Sequence, residues 1–125
     1  MEPADCLFCN PIGETTVLRN ELCYARWDSY PVNEGHMLIV PCRHVADYFD
    51  VTGEERPALW EMVDEAKRFL AERFQPDGYN VGINIGRAAG QSVFHVHVHV
   101  IPRCAGDMAD PRCGVRGVIP EKQKY

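Results

Sequence analysis

Three histidines alternate with valines in the run Ser92-Val-Phe-His-Val-His-Val-His-Val-Ile-Pro102. In an extended chain alternate side chains share a face, so His95, His97 and His99 project together at steps of about 6.6 Å. Phe94, Val96, Val98 and Val100 then fill the opposite face. Three imidazoles in a row are costly to bury without partners. A neutral imidazole, with an ordinary pKa of about 6.5, is available at pH 7 as nucleophile, proton carrier or metal ligand. The bland alternative is a surface ladder. Three in one run, from only five histidines in the chain, argue against it, and the other two, His36 and His44, flank a neighbouring apolar run.

Two further groups of residues carry chemistry. Cys6 and Cys9, two residues apart, read as a metal or redox pair in a chain without a secretory signal. With two distant histidines they would supply four ligands for a closed tetrahedral zinc site, although the spacing is not that of a zinc finger. Gly86-Arg-Ala-Ala-Gly90, followed by Gln91 and Ser92, offers the backbone N–H groups and short polar donors that an anion-binding loop requires. Taken alone, the same glycine spacing is a plain turn.

The elements that must position these groups are short. Thr15 to Arg19, Leu22 to Asp28 and His36 to Pro41 are apolar-rich runs separated by turn residues and read as strands. Between Thr52 and Phe74 the period becomes helical, with Leu59, Met62, Val63, Ala66, Phe69, Leu70 and Phe74 on one face. Thr52 and Glu55 make a capping box, Pro57 predicts that the regular helix starts a few residues late, and Gln75-Pro-Asp-Gly78 stops it. Tyr79 to Ile85 alternates again, and the β-branched Val93 to Ile101 predicts a strand. Arg103 to Tyr125 reads as an extended tail over the body. The sum is an α+β domain: an antiparallel sheet of about five strands, one long helix and a tail.

Composition sets the bounds. A chain of 125 residues has room for one core, so residues 1–125 are expected to form a single domain. With 46% hydrophobic and 25% charged residues it is a globular composition without low complexity. No apolar stretch reaches membrane-spanning length, and Met1-Glu-Pro-Ala-Asp5 lacks the basic start of a signal peptide, so cytoplasmic residence is the expectation. A net charge of −5 argues against a nucleic-acid surface. From Arg103 onward five basic residues face three acids, so a basic tail on an acidic body suits a small anionic ligand.

The histidine run, with Asp5-Cys-Leu-Phe-Cys9, Gly35-His-Met-Leu-Ile-Val-Pro-Cys-Arg-His44 and Asp110-Pro-Arg-Cys-Gly-Val-Arg-Gly-Val-Ile-Pro120, resembles the histidine-triad (HIT) family over nearly the whole chain. The resemblance implies a HIT-like fold and an enzyme that cleaves or transfers a nucleoside monophosphate through a covalent nucleotidyl-histidine. It makes His97 the nucleophile, and His99 a contact to the α-phosphate. Gln91 and Ser92 become contacts to the phosphate and the leaving-group oxygen, in a loop with Gly90. His36 would support the nucleophile by hydrogen bonding, Asp28 would accept both ribose hydroxyls, and Asn84 would lie near the phosphates. For Asp28 a turn cap is the plain alternative. Zinc-bearing relatives imply Cys6, Cys9, His44 and His95 as ligands of a structural zinc, closed to substrate.

The implied substrate is an AMP-containing nucleotide, either a dinucleoside polyphosphate or a nucleoside phosphoramidate, hydrolysed by water. A homodimer joined through the long helix and an edge strand follows from family habit. Transferase and phosphorylase relatives generally carry Gln at the third triad position, whereas His99 is present here. A phosphorylase, or a zinc-stabilised nucleotide-binding module without turnover, are the competing readings. Two positions depart from the family pattern: Arg26-Trp27 stands where an apolar base-stacking residue is usual, and Cys113 where the tail usually has Gly.

Overall fold

The computed structural model describes residues 5–11 and 15–125, so residues 1–4 of the N-terminal stretch read above lie outside it. In chain order it contains β1 (Thr16–Arg19), β2 (Cys23–Trp27), β3 (Met37–Pro41), α1 (Glu55–Phe74), β4 (Gly78–Gly82) and β5 (Val98–Arg103). The strands form one sheet in the order β1-β2-β3-β5-β4, antiparallel at every pairing. This is the α+β architecture the sequence pattern requires.

Strand alternation divides the sheet into two chemically different faces. Cys23 and Ala25 of β2, Met37 and Ile39 of β3, and Val98 and Val100 of β5 pack with Leu59, Met62, Ala66 and Leu70 of α1. On the other face Tyr24, Leu38 and Val40 pack with Cys6 and Phe8 of the N-terminal segment. One face is therefore spent on the core, and the other is free to carry chemistry.

The helix begins as its sequence dictates. The Thr52 hydroxyl accepts the Glu55 N–H at 3.0 Å and the Glu55 carboxylate accepts the Thr52 N–H at 2.8 Å, a reciprocal capping box. Pro57 falls in the first turn, where a backbone N–H has no intrahelical acceptor, so the ring costs nothing there. At the far end Gln75 turns into the left-handed region at φ 47°, and its N–H closes on the Ala71 carbonyl at 3.2 Å. Gly35, at φ 89°, brings the turn before β3 against this end; a Cβ there would lie 3.0 Å from the Phe74 ring.

Three expectations are corrected. β5 runs from 98 to 103 rather than from 93 to 101. In the β3–β5 register, Ile39↔Val98 continued by two residues sets Pro41 opposite Val96, and proline has no N–H to offer a ladder. Val96 instead donates to the Val45 carbonyl at 2.8 Å, which fixes the residues before β5 as an extended arm. β4 likewise ends at Gly82, opposite His99, because β5 supplies only one further residue there. Phe94 leaves the core face and lies 4.9 Å beneath the Arg87 guanidinium.

The tail is not extended either: it forms short 3-10 turns at Gly114–Val118 and Pro120–Lys122, with no buried residue. Cys113 enters the first of them at φ 60°, ψ 37°, a left-handed conformation that opposes a Cβ. Cys113→Gly is expected to stabilise this turn by roughly 0.5–1 kcal/mol, net of the added freedom of the unfolded chain. Slower hydrogen exchange of the Arg116 amide, which donates to the Cys113 carbonyl at 2.9 Å, would register it; faster exchange would refute it.

Candidate functional site

The sheet face opposite the helix gathers the histidines in two groups. In the first, the Cys6 Sγ lies 3.3 Å from His95 Nδ1, and the Cys9 Sγ lies 3.1 Å from His44 Nδ1 and 3.4 Å from His95 Nδ1. All four ligand atoms fall within 4.8 Å of one another, a cluster able to hold a metal ion. His95 is fully buried, and its Nε2 donates to the Pro41 carbonyl at 2.7 Å. That bond places the ring proton on Nε2 and leaves the Nδ1 lone pair facing the sulfurs, the tautomer a ligand needs. Burial also holds the His95 pKa below its ordinary value. Burial, together with the Cys6 thiol beside it, pushes Cys9 up to about 11. Two thiols packed against two imidazoles are what a divalent cation resolves, since its charge draws off both thiol protons. The donor set therefore fits the group the resemblance implies.

In the second group, the His97 Nδ1 donates to the backbone carbonyl of His95 at 2.9 Å, so its Nε2 carries a bare lone pair. Burial lowers its pKa, which keeps that lone pair unprotonated at neutral pH. The Phe8 ring stands edge-on to His97 with centroids 5.1 Å apart. His99 follows on β5, its ring centroid 5.0 Å from that of His97, and is pushed down to about 4 by burial, with His97 and His36 adding to the effect.

His36 is placed differently from its expected role. Its Nδ1 accepts the Val32 N–H at 3.0 Å, so its proton sits on Nε2, which lies 2.9 Å from His99 Nδ1 and 3.3 Å from the Asp28 carboxylate. It touches His99 and not His97, because the register Leu38↔His99 sets His97 two residues beyond its reach. With its Nδ1 occupied as acceptor, His99 must carry its own proton on Nε2 and present a donor. Asp28, His36 and His99 are a second set of closely spaced metal-ligating atoms, but these hydrogen bonds already account for their approach.

A cavity of about 310 Å³ lies over His97 and His99. Asp28, Asn84, Gly90 and Ser92 line it, as expected. Gln91 does not. Its carboxamide is consumed in the loop, accepting the Gly86 N–H at 2.9 Å and donating to the Ala46 and Val93 carbonyls at 2.6 and 3.1 Å. Gln91 braces the loop here, so its amide is held by the protein rather than facing the cavity where the phosphate contact is expected. Asp28 does act as a turn cap: one oxygen accepts the Tyr30 N–H at 2.8 Å, while the other lies 3.3 Å from His36 Nε2 at the cavity wall. Gly90, at φ 95°, closes the 3-10 turn before Gln91.

The sequence reading missed Leu7, Phe8, Leu38 and Tyr30 in the cavity wall. Phe8 had a usable signal, since anything that fastens Cys6 and Cys9 must carry it along. Leu38 had another, two residues beyond His36 on the same strand face. The carbonyls of Pro41 and His95, which set two tautomers, have no signal in residue types. A second cavity of about 430 Å³ on the β4 side, lined by His36 among others, shares His99 and Asn84 with the first, so space opens on both sides of His99.

A sheet with one helical face and a Cys2His2 cluster abutting a row of histidines defines the histidine-triad class of fold and site. The family model described as "HIT domain" matches residues 10–106, and the chain belongs to that family. It is 42% identical over 92 residues to a Mycobacterium tuberculosis protein named AP-4-A phosphorylase, covering 73% of this chain and 47% of that one. The chain thus spans about half the length of that relative. To the Schizosaccharomyces pombe bis(5'-nucleosyl)-tetraphosphatase [asymmetrical] it is 35% identical, covering 80% and 55% of the two chains. The crystal structure of a "ZN-bound histidine triad family protein" from Mycobacterium smegmatis superposes with a TM-score of 0.78 at 31% identity, over 87% of this chain and 82% of that one.

Proposed function

We propose that this chain is a nucleotide hydrolase that releases a nucleoside monophosphate from a dinucleoside polyphosphate or a nucleoside phosphoramidate. The observation that carries the reading is the His97 ring, fastened through Nδ1 to the His95 carbonyl with a bare Nε2 at the cavity. Nε2 attacks the α-phosphorus and the bond from phosphorus to the leaving group breaks, with a polyphosphate oxygen departing as an anion or a phosphoramidate nitrogen departing as an amine after taking a proton from solvent. The nucleotidyl-imidazole so formed is cationic, and the His95 carbonyl on its Nδ1–H stabilises it. Water then attacks phosphorus, the phosphorus–nitrogen bond breaks, and His97 returns neutral as a proton passes to solvent.

His99 Nε2–H is the donor for a phosphate oxygen as charge builds, in a site whose burial strengthens such a bond. Val32, His36 and His99 form the chain of hydrogen bonds that holds this tautomer. Ser92 and the backbone around Gly90 meet the phosphates, with Asn84 beside them. Asp28 accepts the ribose hydroxyls through the oxygen its turn does not use. Cys6, Cys9, His44 and His95 would hold one zinc ion, with no open coordination position, as a tie between the N-terminal segment and the nucleophile's arm. A reducing cytoplasm is the compartment in which such thiols persist. Residues 1–125 act as one domain, and β4, at the sheet edge beside α1, is the surface for a homodimer.

The name of the Mycobacterium tuberculosis relative favours a second reading, in which inorganic phosphate rather than water takes the nucleotide from His97. Incubation with diadenosine tetraphosphate, with and without phosphate, separates them by chromatography. Hydrolysis yields AMP and ATP whatever the phosphate concentration; ADP that appears only with phosphate would establish the phosphorylase. Binding with no product at all would leave a nucleotide-binding module.

A further inference from the structure

Arg26 is a buried cation without an anion. It is 6% exposed, and among the described residues no carboxylate forms an ion pair with it. A guanidinium in that position is costly unless something repays its lost hydration. Its Nε donates to the Trp27 carbonyl and one Nη to the Ser29 hydroxyl, both at 3.2 Å, and its carbon lies 5.1 Å from the centre of the Phe8 ring. Two of the five N–H donors of the group are thereby occupied, and the Tyr24 hydroxyl takes a further hydrogen bond from it. The rest belong to a side chain lining the same cavity as His97.

The position within the cavity limits what those donors can meet. The registers Arg26↔Leu38 and Leu38↔His99 set Arg26 two strands away from the phosphate-facing histidine, with Leu38 between them. Leu7, Phe8 and Leu38 make this end apolar, whereas Ser92, His97 and His99 make the other end polar. A nucleotide with its phosphate at His97 and its ribose at Asp28 leaves its base for the apolar end, beside the guanidinium. Guanine presents O6 and N7 as adjacent acceptors, which match the guanidinium fork. Adenine presents N7 beside an amino group that is itself a donor.

We propose that Arg26 is a specificity-determining residue that reads the base edge and gives the site a preference for guanine over adenine nucleotides. The inference rests on the nucleotide reading of this cavity, though not on turnover. The test has two parts. Calorimetric titration of GMP and AMP into wild type and His97→Ala measures base preference without chemistry, and kcat/KM for guanosine and adenosine 5'-phosphoramidates measures it with chemistry. Wild type is expected to favour guanine by roughly tenfold, and Arg26→Met, which keeps the apolar volume, to bring the ratio close to one. Equal affinities or tighter AMP in wild type would overturn the assignment. So would equal weakening of both nucleotides by Arg26→Met, the mark of a phosphate contact or a structural role. A guanine preference in binding without turnover would sustain Arg26 and defeat the hydrolase; turnover without preference would do the reverse.

Discussion

His97→Ala is expected to lower kcat for a nucleoside phosphoramidate by more than about 10³-fold, while nucleotide affinity stays within a few-fold of wild type. The size follows from the chemistry: without the imidazole the two-step route is lost, and a single water must attack with no base placed for it. A loss of that size is at least ~4 kcal/mol on the barrier. Geometry makes the affinity largely indifferent, because the groups proposed to hold phosphate and ribose, Ser92, His99 and Asp28, stand on other parts of the cavity wall. Mass spectrometry supplies the second readout. Wild type quenched without acid should carry one added nucleotidyl group, mapping to the peptide with His97. Residual turnover close to wild type, or a nucleotidyl adduct retained in His97→Ala, would assign the nucleophile elsewhere.

Much of this site was legible in the sequence, and the parts that were not have two causes. Residues whose role depends on their side-chain type and on strand alternation could be read directly: His95, His97 and His99 do share a surface, and Cys6, Cys9, His44 and His95 do converge. Residues whose role depends on register could not. His36 was expected beside the nucleophile, but whether a residue on β3 meets His97 or His99 is decided by a two-residue offset, and the observed pairing gives it to His99. Gln91 lies away from the cavity lining for another reason. A buried carboxamide must satisfy both its ends, and the loop around it offered the Gly86 N–H and the Ala46 and Val93 carbonyls before any ligand could.

The fold repeats the pattern. β5 was read five residues too early because valine and histidine alternate just as well in an arm as in a ladder. What ends the ladder is the N–H that Pro41 lacks, a property of the partner strand. The capping box of Thr52 and Glu55, by contrast, is local and was fully visible.

The metal cluster is where the largest effect on stability is expected. Cys6→Ser with Cys9→Ser should yield protein without bound metal whose Tm falls by about 10 °C or more, corresponding to a loss of several kcal/mol of linked binding energy. The thiols and His95 lie in or against the small core formed by Phe8, Tyr24, Leu38 and Val40, so removing the ion leaves buried polar groups without their common partner. The damage should also reach the chemistry. His95 is hydrogen-bonded into both groups: its Nδ1 faces the sulfurs, its Nε2 is held by the Pro41 carbonyl, and its own carbonyl fixes the His97 ring. Loosening His95 therefore frees the His97 ring to rotate, and kcat should fall by roughly tenfold even at temperatures where the variant is folded. Elemental analysis of wild type purified without chelator should find one zinc per chain, and dialysis against a strong chelator should lower Tm and kcat together. Wild type without metal, or a double variant that melts with wild type, would show that the four ligands converge for packing alone. A drop in Tm with kcat unchanged would sever the link through His95 and leave the metal as a clamp on the N-terminal segment only.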